Sequence, residues 1–242
     1  MDPEIAAVVA QLQVRLDALP AASEHRRAFL GTYLRTTAAV GRAVAAGEFE
    51  DSDWVRRWDV VFAGYFLAAH DADVSGAAVP RPWRLAFAAD PARSAMVHLL
   101  VELDAHLNWD LPQAMLDVVS DDDAADPAVL ASRQRDHERI NAVLAARVTA
   151  EGHELSRQVV DRLLVPARRW STSRFLPAAR RLAWHNVGQL QQARLAGPTA
   201  YAARLAELDV LASAKVADLL VPGPVLLRLA LTGFGVRLPP AV

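Results

Sequence analysis

Residues 101–111 read V-E-L-D-A-H-L-N-W-D-L, apolar and polar side chains in strict alternation. That is the period of a strand, set in a chain whose other segments carry the period of a helix. On a helix at about 100° per residue the same letters sort differently. His98, Glu102, His106 and Asp110, four apart, step about 40° at a time and cover one arc of roughly 120°. Asp104 and Asn108 fall on the opposite side, and Leu99, Val101, Leu103, Ala105, Leu107 and Leu111 fill the gaps. Such a helix cannot rest on a core with one side in water. The expectation is that one arc faces solvent and the His/Glu/His/Asp arc faces a site. Pro112 has no N–H to give the carbonyl of Asn108, so a break in the ladder is expected beside Asp110.

The remaining segments fix the fold class. Residues 3–19 place Ile5, Val8, Val9, Leu12, Leu16 and Leu19 at helical intervals behind an Asp2-Pro3 start. Ser23 is expected to cap a second helix closed by Gly47. Asp51 or Ser52 opens a third, in which Trp54, Trp58, Val61, Phe62, Tyr65 and Phe66 form an apolar stripe with Asp59 beside it. Asp90-Pro91 is expected to start the helix that carries the alternating stretch to Val119. Later helices are expected at about 127–150, 153–165, 177–196, 198–221 and 224–232, divided by Gly152, Pro166, Pro177, Gly197-Pro198 and Pro222-Gly223-Pro224. No β-branched alternation with hairpin turns appears. The reading is a single all-α domain over residues 1–242, a bundle of roughly eight to ten helices, with the helices of 198–242 packed on the rest.

At 242 residues and 53% apolar the chain can bury a substantial core. Its 28 acidic and 26 basic residues nearly cancel, which argues against a nucleic-acid partner. There is no Cys, so thiolate metal sites and thiol nucleophiles are excluded and a metal would need His, Asp or Glu. The apolar run near the C-terminus is broken by Pro222, Gly223, Pro224 and Arg228, so stable membrane insertion is not expected. An N-terminus without a basic signal region gives a cytoplasmic default. A homo-oligomer is compatible with the sequence.

Four readings of chemistry follow. His106 and Asp110 have the i,i+4 spacing for an imidazole oriented by a carboxylate, or for a divalent metal (Zn, Fe or Mn) held with His98. Asp59 interrupts an aromatic stripe and, if buried, needs His106 or an arginine as partner. Asp136 lies about a turn from Ile140 and Asn141 and edges inward. Asp122, Asp123 and Asp126 spell the DDxxD form of a magnesium-binding isoprenoid synthase, although in sequence they resemble a loop and helix cap. No GxSxG, Walker loop or GxGxxG occurs.

The segments FEDSDWVRRWDVVFAGYFLAA, PRPWRLAFAA, HLLVELDAHLNWDLPQAM, DHERINAVL and RRLAWHNVGQL together resemble an uncharacterised bacterial family, domain of unknown function 5995, over about residues 30–195. The resemblance is most specific at AHLNWDLP, where His106, Asn108 and Asp110 fit the family pattern. Glu102 stands where glycine is expected and Asp104 where asparagine is. The family name implies no activity. The combined expectation is an enzyme acting on a small, largely apolar molecule. His106, Asp110, Asp59 and Asp136 are its chemical groups, and Trp58, Tyr65, Trp83, Trp109 and Asn108 line its pocket. The alternatives are a non-catalytic binding module with a structural polar network, and the magnesium-dependent isoprenoid enzyme.

Overall fold

The structure, a computed structural model, describes residues 1–155 and 165–240; for residues 145–155 and 165–174 it describes the backbone alone. The described elements are helical, in the order α1 (Pro3–Asp17), α2 (Arg27–Ala45), α3 (Ser52–Ser75), α4 (Arg81–Phe87), α5 (Ala95–Ala105), a π-turn (His106–Asp110), α6 (Leu111–Asp117), α7 (Asp121–Ala125), α8 (Pro127–Leu155), α9 (Val165–Ala196), α10 (Pro198–Leu220) and α11 (Val225–Thr232). Among the described residues no helix is long and apolar enough to cross a membrane.

Several starts follow from capping chemistry. Asp2 Oδ1 accepts from the N–H groups of Glu4 and Ile5 at 3.0 and 3.2 Å, ahead of Pro3, and Ile5, Val8 and Leu12 of α1 are buried. Asp51 accepts from Trp54 N–H at 2.8 Å to start α3, which ends at Gly76 in the left-handed region. Other boundaries differ from expectation. Ser23 does not cap α2. It lies in a 3-10 stretch, Ala21–Arg26, at non-helical φ −108°, ψ 15°, and α2 starts at Arg27. Asp90 does not start α5, because its carboxylate closes a tight turn on Ala92 N–H at 2.9 Å and Ser94 caps the helix instead. Helix α8 continues through Gly152, and Pro177 lies inside α9, since packing overrides these local breakers. The expected helix over 153–165 falls mostly outside the described residues.

The alternating stretch becomes the centre of the bundle. Helix α5 packs on α2, α4 and α10, the π-turn on α3, α9 and α10, and α6 on α3 and α9. The expected solvent-facing arc therefore does not exist: His98, Glu102, Asp104, His106, Asn108 and Asp110 are all at most 2% exposed. A helix polar on two faces is accommodated by being surrounded, with each polar side meeting a different neighbour. Around it lie Phe29, Trp54, Trp58, Phe66 and Trp83, all essentially inaccessible.

Candidate active site

The break in the helical ladder falls one residue from where Pro112 alone would put it. Leu111 N–H bonds to the carbonyl of His106, a five-residue loop that widens the helix over His106–Asp110. Gln113 Nε2 donates to the Trp109 carbonyl at 2.8 Å. Such π-turns insert one residue into a helix and recur at functional sites.

Within this turn His106 Nδ1 and Asp110 Oδ2 are 2.9 Å apart. Trp83 Nε1, from α4, donates to both oxygens of Asp110 at 3.0 and 2.9 Å, so the carboxyl is fixed from a second side. The imidazole lies flat on Phe62 with ring centroids 3.7 Å apart. Tyr33 meets it edge-on at 4.5 Å, while Phe29, Phe66 and Trp83 stand at 5.9, 6.0 and 6.0 Å. Its other nitrogen, Nε2, is buried and has no hydrogen-bond partner among the described residues. Burial holds His106 well below the ordinary histidine range and pushes Asp110 well above the carboxylate range, with the Trp83 hydrogen bond opposing part of the second shift. Both directions favour an uncharged pair with a proton held between Nδ1 and Oδ2.

Asp59 is also buried, and its Oδ2 has no hydrogen-bond partner among the described residues. Burial raises its carboxyl to about 7, against the pull of the Arg180 charge. Arg180 acts on Asp59 through its charge, and neither Arg180 nor His106 hydrogen-bonds Asp59 Oδ2. Burial lowers the guanidinium to about 9, which leaves it cationic at neutral pH. It donates to the His137 carbonyl at 2.6 Å and lies 3.0 Å from His137 Nδ1, while His137 Nε2 is 3.0 Å from the Arg180 carbonyl. Tyr33 is held well above its ordinary value by burial and then by the charges of Asp59 and Asp110, so it remains a phenol, with its hydroxyl beside that of Thr37.

The other expected residues divide clearly. Asp136 is inaccessible, but its oxygens accept from the N–H groups of Glu50 and Asp51 at 2.8 Å each and from Arg139 at 3.1 Å, which fixes the entry to α3 and leaves it away from His106. Tyr65 donates to Asp117 at 2.7 Å at the surface rather than facing the pair. Trp58 stacks between Trp54 and Phe62, and Trp109 is half-buried. Asn108 points away from His106, to the C-terminal segment. His98 faces His25 with ring centroids 4.5 Å apart. It does not join His106 and Asp110, and no group of three or more His, Asp or Glu among the described residues could hold a metal ion. In the DDxxD-like run, Asp126 caps α8 through Ala128 N–H at 2.8 Å, and neighbouring Asp121 pairs with Arg194 at 2.9 Å. Of the three motif aspartates, Asp126 thus serves as a helix cap. Sequence reasoning missed Phe29, Tyr33 and Arg180. Tyr33 and Thr37, four apart on α2, were the available signal for a polar edge facing the site.

A family model described as a family of unknown function, DUF5995, matches residues 5–222. The chain belongs to this family. The match covers the central helix and every residue of the His106 environment named above, and extends past the stretch of 30–195 on which the resemblance was read. No curated protein and no solved structure matches the chain.

Proposed function

We propose that this DUF5995 member is an enzyme in which the His106–Asp110 pair moves a proton at His106 Nε2 on a small, largely apolar molecule. The observation that carries the reading is the unpartnered Nε2. One side of the imidazole is fixed by Asp110, itself fixed by Trp83, while the other is buried without a partner. An imidazole oriented on one side by a carboxyl and open on the other has the arrangement of an acid/base group. The aromatic rings at 3.7–6.0 Å supply an apolar, water-poor lining, which suits a flat or aliphatic substrate with one polar atom. Tyr33, kept protonated, is a second donor whose ring meets the imidazole edge-on. Entry requires the surrounding side chains to part, because the pair is 2% exposed.

The test is side-chain ¹⁵N NMR of the full-length protein with toluene, phenol and benzaldehyde as probes. The His106 lines are assigned by their loss in His106→Gln. The His106 lines are expected not to titrate between pH 5 and 8, and Nε2 is expected to shift with phenol or benzaldehyde and not with toluene. If none of the three probes moves Nε2, the pair is a structural element and the non-catalytic module is the better reading.

A further inference from the structure

Residues 233–240 have no regular secondary structure, yet they alternate like a strand. Phe234, Val236 and Leu238 are buried and Arg237 is exposed. Their backbone pairs with two carboxamide side chains rather than with another strand. Asn108, in the π-turn, donates from Nδ2 to the Phe234 carbonyl at 3.0 Å and accepts from Val236 N–H at 3.0 Å. Asn186, in α9, donates to the Val236 carbonyl at 3.0 Å and accepts from Leu238 N–H at 2.9 Å. A carboxamide offers one donor and one acceptor side by side, as a residue of a neighbouring strand does. Two of them therefore read four main-chain groups, those of alternate residues from Phe234 to Leu238, without regard to the side chains. His185 Nε2, 3.1 Å from the Leu238 carbonyl, and Arg204, which donates to the Pro239 carbonyl, prolong the row.

Selectivity comes from shape. Val236 and Leu238 sink into a cluster with Leu116, Leu190 and Leu208. Between the apolar anchors Gly235 passes so close to α9 that a Cβ there would lie 2.8 Å from Ala179 Cα, a main-chain atom that cannot step aside. The clamp thus fits apolar-Gly-apolar-x-apolar in extended form. Its bonding residues lie within the span matched by the family model, whereas the segment it holds lies beyond residue 222. The join between them is an exposed loop, Val221-Pro222-Gly223-Pro224, with Gly223 at φ 122°. Next to that loop Val221, Leu227 and Leu231 are 50%, 58% and 79% exposed.

We propose that the clamp is a peptide-binding site in its own right, and that its occupant in trans is the C-terminal segment of a second copy, exchanged about the Pro222–Pro224 hinge. Exchange of an identical element keeps every contact just described, and it brings the exposed leucines beside the hinge towards their counterparts in the other copy.

The experiment uses the full chain with a protease site inserted in the 222–224 loop, cut while folded, and a fluorescein-labelled synthetic peptide of residues 233–240. Saturable capture of the peptide by the cut chain is expected, with a peptide carrying Gly235→Ala about a hundredfold weaker. An Asn186→Ala chain should bind the normal peptide about tenfold more weakly. The peptide variant involves no folding of the protein, so the test stands even if Asn186→Ala misfolds. Failure of the labelled peptide to enter the cut chain, or equal binding by the Gly235→Ala peptide, overturns the site. For the second copy, the cysteine-free chain is labelled singly through Arg237→Cys with two different dyes, and the two preparations are mixed at millimolar concentration. Energy transfer within a dimer peak is the expected result, with the peak itself, followed by absorbance, missing from an unlabelled chain truncated after Thr232; no energy transfer, or a dimer peak that survives truncation, overturns exchange between copies.

Discussion

The central helix carries two buried polar faces that differ in one respect. On the side of α9 and the C-terminal segment, Asn108 donates to Phe234 and Asp104 and accepts from Val236, so each of the bonds it directs there has a partner. Two residues away, on the side of α2 and α3, His106 Nε2 and Asp59 Oδ2 are buried without partners among the described residues. Both faces incur the cost of desolvation; the first recovers much of it through Asn108, although Asp104 Oδ2 is buried without a partner among the described residues, and the second recovers less around His106. Hydrogen bonds completed within the fold hold structure in place, whereas a buried polar atom left open carries an uncompensated desolvation cost.

The comparison is broken most directly at Asn108. Asn108→Ala orphans the Phe234 carbonyl, the Val236 N–H and an oxygen of Asp104, and should cost roughly 5 kcal/mol in urea unfolding. His106→Gln, which removes a group with one nitrogen already unpaired, should cost roughly 1 kcal/mol or less. Equal losses would mean that both faces are structural.

Asp59 sharpens the comparison through pH. Its folded carboxyl lies near 7 against an ordinary value of 3.8, so the folded state favours the protonated form. The stability associated with it is complete below about pH 4 and is lost as pH rises towards 7, by at most about 4 kcal/mol. Asp59→Asn should flatten this slope and raise Tm at pH 8, as measured by thermal unfolding across pH 4–8. A slope unchanged in the variant would assign the titration elsewhere. The smallest effect is expected at Asp122, which is exposed next to the capping residues. Asp122→Asn should leave Tm within about 1 °C and confer no magnesium dependence, since surface changes away from caps are nearly neutral.

Much of the fold was legible because helices declare themselves locally. The Asp2-Pro3 start, the Asp51 cap and the stripe from Trp54 to Phe66 each require only neighbours within a turn or two. The His106–Asp110 pair was legible for the same reason, being four residues apart on one helix. The π-turn was half legible: Pro112 announced a broken ladder, but which carbonyl adapted depended on packing. Arg180, Tyr33 and the Asn186 pairing with Val236 and Leu238 were not legible, because they meet Asp59, His106 and those two residues, respectively, across 50 residues or more of chain. Asp136 illustrates the opposite error. Its inward edge was read correctly, but the groups waiting for it were main-chain N–H groups at the start of α3, which leave no residue-type signature.

By itself the sequence determined that the chain is an all-helical bundle and that residues 98–110 carry polar groups on two sides of one helix. Those facts follow from periodicity and capping, which are properties of contiguous residues. The tertiary structure decided that both sides are buried, that one closes on the chain's own C-terminal segment, and that the other keeps His106 half unpaired among aromatic rings. Burial and hydrogen-bond partnership depend on which distant segments arrive at a helix, and no local pattern encodes that.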